Sequence, residues 1–343
     1  MSDERPGILD GAVHPAEQTK LFGHAEAEDF LARSYRSGKG HHAVLMEGQE
    51  GIGKATLAFR FANHVLHHPE PSLAPESLVA PSLASPITRQ LAAGSSHNLL
   101  HLTRPVDEKS GKVKSAITVD EVRKAGKFLA QTSGTGNWRI VIIDPADDLN
   151  RNAANAILKI LEEPPKRALF LVLTHAPGKL LPTIRSRCMP LALAPLSDAD
   201  LVSALDSLSV APSGERAAAL IAAAHGSVSE ALKLVNYGGF DIVEAFRAIV
   251  GGTAEPPRRD VHKLADVLSA KDSDTVFSFF CQHAADFVTD SARAAALAGD
   301  ITRADRLAQL SSQLSERIAI AQGYNLDRKQ TIITVLDDIR AAL

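Results

Sequence analysis

The chain reads as an α/β domain built on a parallel sheet, followed by an all-helical half. Three observations point there. The first is Gly48–Thr56, GQEGIGKAT, set between a short apolar strand at Ala43–Met46 and a helix at Thr56–Leu66. Gly48, Gly53 and Lys54 fit the G-x-x-x-x-G-K spacing of a phosphate-binding loop, whose glycines let backbone amides approach a phosphate. The second is a series of short Val/Ile/Leu-rich runs alternating with helical stretches over the first half of the chain. Continuous apolar runs are the mark of parallel strands covered on both faces. The third is the change after Tyr237-Gly238-Gly239, beyond which only helical periodicity remains. There Ile332, Leu336, Ile339 and Leu343 share one face, as do Leu307, Leu310 and Leu314.

The predicted strands are Ala43–Met46, Leu99–Leu102, Arg139–Asp144, Leu169–Thr174 and Met189–Leu193. A helix after Ile117 opens on a capping box, Thr118 with Glu121, and Ile117 with Val122 can form a hydrophobic staple. The helix Asn152–Glu163 stops at Pro164-Pro165, which cannot continue it. Between His68 and Asn98 five prolines predict an irregular, mobile surface loop with one helical turn near Ile87–Leu91, and Asp107–Lys114 reads as an exposed hairpin tip or loop. Pro195-Leu196-Ser197-Asp198 marks a boundary, with Ser197 and Asp200 starting the first of three short helices. The expected division is an α/β domain over residues 1–194, a small helical lid over 195–239 and a helical bundle over 240–343.

With 343 residues, 45% hydrophobic and 22% charged, the composition is that of an ordinary globular protein. A net charge of −3 argues against a dedicated nucleic-acid binder, so DNA contact by Arg151 and Lys159 is expected to be auxiliary. Two distant cysteines, Cys188 and Cys281, make no disulfide framework and suit a reducing compartment. The polar start carries no secretory h-region, and no apolar run approaches the ~20 residues of a membrane span, so a cytoplasmic location is expected.

Nucleotide hydrolysis on a phosphate-binding loop needs several polar parts acting together. The cradle, Gly48, Gly51, Gly53 and Lys54, is present. The next position, where a hydroxyl binds Mg²⁺, is Ala55; Thr56 lies one residue on, about 100° around the helix. Arg139–Asp144 ends in an acid able to reach a metal, but Pro145 follows, which can neither accept a proton nor orient water. Asp147 and Asp148 read as solvated acids opening a helix, and Thr174 as either a polar sensor or a strand-end cap. Ser229, near the start of a lid helix, stands where such sites often carry an arginine. Arg187, in Leu181–Cys188, sits at the edge of the α/β domain, where it is either a surface residue paired with an acid or a group offered to a neighbour.

Three segments together resemble the bacterial clamp-loader subunits of the AAA+ class: His41–Leu45 leading into GQEGIGKAT, then Asn155–Pro165 with its L-K-I-L-E-E-P-P run, then Ser186-Arg187-Cys188. The polar gaps at Ala55 and Pro145 make the resemblance one to the delta-prime subunits of DNA polymerase III rather than to the ATP-hydrolysing gamma/tau subunits. The resemblance covers most of the chain. It implies an AAA+ P-loop domain, a three-helix lid and a C-terminal collar from Phe240 onward. It further implies a stator without hydrolysis of its own, in a hetero-pentamer with gamma/tau motor subunits and a delta subunit, acting on the sliding clamp and primed DNA. Arg187, within the Ser186-Arg187-Cys188 triplet, would then complete the ATP site of an adjacent motor subunit. Gly48, Gly51, Gly53, Lys54, Thr56 and Asp144 would form a degenerate nucleotide site for which ATP is not required. The four-cysteine zinc module of the family has no counterpart here; the Pro69–Pro86 stretch stands in its place, no zinc is expected, and His64, His67 and His68 read as solvated surface. The competing readings are a working motor ATPase in which Thr56 and Asp147 substitute for missing groups, and a P-loop-derived DNA-repair or regulatory adaptor acting alone.

Overall fold

The computed structural model describes residues 7–107, 111, 113–130, 136–210, 216–252, 256–271, 273–324 and 326–343. Five parallel strands, β1 (Ala43–Glu47), β2 (Leu99–Leu102), β3 (Arg139–Ile143), β4 (Ala168–Thr174) and β5 (Met189–Ala192), form one sheet in the order β2-β3-β4-β1-β5. Each lies within one residue of its predicted bounds. Alternation along the strands sorts the core to two sides. Val44, Met46, Ile140, Ile142, Leu169, Leu171 and Leu173 pack with α1 (Ala25–Arg36) and α2 (Lys54–His67). Leu45, Val141, Ile143, Phe170 and Val172 pack on the other face with α4 (Val119–Ala130), α5 (Arg151–Glu162) and α6 (Pro182–Arg185), which follow α3 (Pro86–Ala92) in the chain. The register Ala43↔Phe170 through Glu47↔Thr174 brings the carboxyl ends of β1 and β4 level, beside the end of β3. Open parallel sheets place their ligands at such strand ends.

Helix α5 starts one residue earlier than expected: Asn150 is its cap, its side chain accepting from Ala153 N at 2.9 Å. At α4 the Glu121 carboxylate turns along the helix to Lys124 at 2.7 Å, so it does not serve the expected capping box; Ile117 and Val122 are both buried in one cluster, as a staple requires. The predicted hairpin tip at Asp107–Lys114 keeps its stem, a Val106–Val113 bridge, while its centre lies outside the described residues.

The proline-rich stretch is not the loose loop its composition suggests. Ala74, Leu78 and Leu91 are buried in the core cluster, and Thr88 donates to Asn63 Oδ1 of α2 at 2.8 Å. Its helical turn is α3. Prolines predict turns, but they do not report which neighbouring side chains are buried.

The histidine run is not the solvated surface expected of it. His64 is 1% exposed, packed edge-on to Tyr35 and 5.0 Å from the His68 ring, with no protein hydrogen-bond partner on either ring nitrogen. His67 bridges Asn63 O (2.8 Å) and Ser85 Oγ (2.7 Å). Burial above all, then His68 and His67, lowers the His64 pKa to about 4 from an ordinary 6.5. Below pH 6.5 the unfolded chain takes a proton that the folded chain refuses, so stability falls as pH drops from 6.5 toward 4. The loss amounts to at most about 3 kcal/mol. His64→Leu should remove this part of the acid sensitivity, read as a smaller difference between urea midpoints at pH 7 and pH 4.5. Equal differences in both proteins would reject the assignment.

After the sheet come α7 (Asp198–Ser207), α8 (Arg216–Ala224) and α9 (Val228–Asn236), then α10 (Gly239–Val250), α11 (Arg258–Leu268), α12 (Asp274–Leu297), α13 (Ile301–Gly323) and α14 (Arg328–Ala342). Ser197 caps α7 as predicted, accepting from Asp200 N at 3.1 Å and donating to Asp200 Oδ2 at 2.7 Å. The chain forms two compact units, Met1–Leu232 and Lys233–Leu343, so the α7–α9 segment falls mainly in the first. The second unit has its own core, in which Ile332, Leu336, Ile339, Leu307, Leu310 and Leu314 are buried, as are Phe246 and Phe280. No helix among the described residues is long and apolar enough to cross a membrane.

Candidate functional site: a closed phosphate loop and a half-exposed arginine

The loop after β1 runs through Gly48, Gly51 and Gly53, with φ of 151°, 79° and 103°, values that L side chains rarely adopt. It delivers Lys54 to the first turn of α2. The lysine is 3% exposed, and its ammonium donates to Gly48 O and Gln49 O, both at 2.6 Å. Burial draws its pKa down to about 8, against the opposing pull of Asp144, Glu50 and Asp147.

The turn into α9 closes the same loop from above. Val228 N donates to Gly51 O (2.9 Å), Ser227 Oγ to Glu50 O (2.8 Å) and Gln49 Nε2 to His225 O (2.7 Å). The approach is close enough that a β-carbon on Gly51 would lie 2.3 Å from Ser227 Oγ and 2.6 Å from Ser229 Cβ. Gly226, with φ 75°, makes this turn possible: a β-carbon there would meet Leu196 O at 2.5 Å. From the other side His24 Nε2 bonds Ile52 O at 2.7 Å. The carbonyls of residues 48 to 52 are thus each engaged by a group of the chain itself. Ala55 packs into the core and Thr56, one position on, is half-buried.

At the neighbouring strand ends, Asp144 closes β3 and faces His101 Nε2 of β2 at 3.3 Å, and its peptide bond to Pro145 is cis. The expectation of solvated acids fails here. Asp147 accepts from Thr174 Oγ1 (2.8 Å), His175 N (2.6 Å) and Ala176 N (3.3 Å), and Asp148 pairs with Arg104 at 3.1 Å. Asp147 therefore serves as a clamp on the turn after β4, and the hydroxyl of Thr174 is spent on that clamp. Burial, then the Lys54 charge, keep His175 below the usual imidazole range. Spacing along the chain offered no signal for these pairings, which join residues 27 and 43 positions apart.

Set against the parts that magnesium-dependent hydrolysis of a nucleoside triphosphate uses, the residues present fall short. There is no hydroxyl at residue 55 and no acid at residue 145, the lysine is turned onto its own loop, and two serines lie against Gly51. Among the described residues no group of three or more His, Cys, Asp or Glu is placed to hold a metal ion.

Arg187 lies elsewhere, after α6. Leu180 and Ile184 are buried beneath that short helix and Cys188 beside it, and burial raises the Cys188 thiol to about 11. The Arg187 side chain, 33% exposed, donates from Nη1 to Thr183 O at 2.8 Å and from Nη2 to Glu162 Oε1 at 2.6 Å. Ser186 Oγ donates to the same Thr183 carbonyl at 3.2 Å. Arg187 is thus paired with an acid, one of the two readings the sequence left open; Glu162 was read there only as part of the L-E-E-P-P run, not as that acid.

The sheet order, the loop between β1 and α2 and the helices behind it define a P-loop domain of the AAA+ class. Residues 23–197 match the family model described as DNA polymerase III, delta subunit. A DNA polymerase III subunit delta′ of Pseudomonas aeruginosa is 32% identical over 70% of this chain and 69% of its own length. The delta′ subunit of Escherichia coli K12 is 32% identical over 48% of this chain and 46% of its own, and the tau subunit of that strain 28% identical over 67% and 34%. The chain thus spans about half or less of the length of some of these relatives. It belongs to the delta-prime family of DNA polymerase III clamp-loader subunits.

Proposed function

We propose that this chain is a clamp-loader stator that does not hydrolyse ATP and lends Arg187 to the ATP site of a neighbouring motor subunit. In this reading it sits in a hetero-pentamer with gamma/tau motor subunits and a delta subunit, which opens the sliding clamp and places it on primed DNA. The single observation that supports it most is the contrast between its two polar sites. The loop carbonyls and the Lys54 ammonium are engaged by the chain's own groups in a buried setting, whereas Arg187, although bonded to Thr183 O and Glu162, keeps one-third of its side chain exposed. An arginine supplied in trans stabilises charge on the transferring phosphoryl group, and Ser186 and Cys188 frame it here.

Turnover by the purified chain separates this reading from that of a motor ATPase. No magnesium-dependent ATP hydrolysis above background is expected, with Lys54→Ala indistinguishable from wild type. A clear rate abolished by Lys54→Ala would establish a motor and overturn the proposal. Failure of the chain to co-purify in fixed proportion with motor subunits would favour an adaptor acting alone.

A further inference from the structure

The Asn155–Pro165 run and the Ser186-Arg187-Cys188 triplet meet at one contact. Glu162 is the last residue of α5, placed there by Pro164-Pro165, and its carboxylate engages the Arg187 guanidinium. A carboxylate at a helix C-terminus opposes the helix dipole, and a half-exposed ion pair adds at most about 1 kcal/mol to stability. The position is therefore poorly explained by folding energetics.

Geometry offers a better account. A guanidinium has five N–H donors in one plane. Thr183 O takes one from Nη1 and Glu162 Oε1 one from Nη2, and these acceptors sit on different elements, α6 and the end of α5. Two acceptors on separate elements fix both the location and the plane of the group, leaving three N–H donors. The Arg187 backbone is held in turn by its N–H to Ile184 O at 3.1 Å and by the buried Cys188 that follows.

We propose that Glu162 is a positioning residue for Arg187: with the Thr183 carbonyl it brackets the guanidinium so that its remaining donors are presented, already oriented, to the nucleotide phosphates of a neighbouring subunit. This rests on the trans-acting role of Arg187 proposed above. Orientation before reaction accelerates the chemical step without tightening ground-state binding. Glu162 itself touches no substrate.

The test uses the complex reconstituted with its motor subunits, followed by single-turnover ATP hydrolysis at the site Arg187 completes and by nucleotide affinity at that site. Glu162→Ala is expected to slow hydrolysis about 10- to 100-fold, as for a catalytic group displaced by about an ångström, with affinity unchanged. Glu162→Gln, whose amide oxygen still accepts from Nη2, should restore the rate to within about threefold of wild type. Glu162→Ala combined with Arg187→Ala should be no slower than Arg187→Ala alone, because the two act as a unit. Thermal melting of each purified variant checks that the fold is intact. A wild-type rate in Glu162→Ala beside a slow Arg187→Ala would overturn the positioning role and leave the trans arginine standing. Additive losses in the double variant would also overturn it, by showing that Glu162 acts apart from Arg187. A wild-type rate in Arg187→Ala would remove both.

Discussion

Arg187→Ala is expected to leave the subunit folded and assembled while slowing ATP hydrolysis by the neighbour about 10³-fold or more, the range in which trans arginines act. This is the expected result of the largest single-residue change the structure supports. Folding should be little affected, because the side chain is one-third exposed and its partners, Thr183 O and Glu162, are near solvent. A rate effect without a stability effect is the mark of a group acting in the transition state, so kcat should fall while nucleotide affinity stays close to wild type. The measurement is single-turnover hydrolysis in a complex whose other motor sites are inactivated, together with the rate of clamp loading. Arg187→Lys should not restore either rate. An ammonium is a compact point charge and cannot hold Thr183 O and Glu162 in one plane while offering further donors to a phosphate. Unchanged hydrolysis and loading in Arg187→Ala would defeat the stator reading.

The parts of this molecule that could be read along the chain are those whose physics is local. The three central strands β1, β3 and β4 were legible because a strand covered on both faces must be a continuous apolar run, as in Ile140–Ile143 and Leu169–Leu173, and the half-buried edge strands β2 and β5 by their short apolar runs. The phosphate loop was legible because positive φ demands glycine at fixed spacing. Its missing parts were legible too, since Ala55 and Pro145 lack the atoms the chemistry uses. What could not be read is long-range. The closure of the loop depends on Ser227 reaching Glu50 across 177 positions, and on Gly226 permitting the turn that brings it there. Ser229 was noticed only as the absence of an arginine; its contact with Gly51 is what fills the space. Asp147 was misread as solvated because a pair of acids before a helix normally is. In the folded chain it meets three donors from the end of β4. The same limit hid Glu162, an acid among acids until the fold sets it against Arg187.

Removing residues from Phe240 onward should abolish assembly with motor subunits while leaving the remaining chain folded. The sheet and both of its covering layers belong to the first compact unit, and the residues that fill them, from Ala27 to Leu193, lie far upstream of the cut. Residues 1–239 should therefore keep their far-UV helical and strand signal and a cooperative melt. The removed helices form a separate core, with Phe246 packed edge-on to Phe280, His283 and Phe287. That unit also exposes large apolar side chains at both ends of α13: Leu297 and Ile301 where α12 gives way to it, Ile320, Tyr324 and Leu326 where it leads to α14. Large apolar side chains left exposed at each of these two ends are suited to burial against a partner. If the second unit supplies the subunit's share of a collar, its loss removes the contacts that hold the ring, and co-purification in fixed proportion should fall to nothing even though Arg187 is still present. The comparison to make is stoichiometric pull-down of the truncated and full-length chains with motor and delta subunits, alongside circular dichroism of the truncated chain. A folded 1–239 fragment that still enters the complex would show that assembly resides in the P-loop unit and would remove the collar from the account.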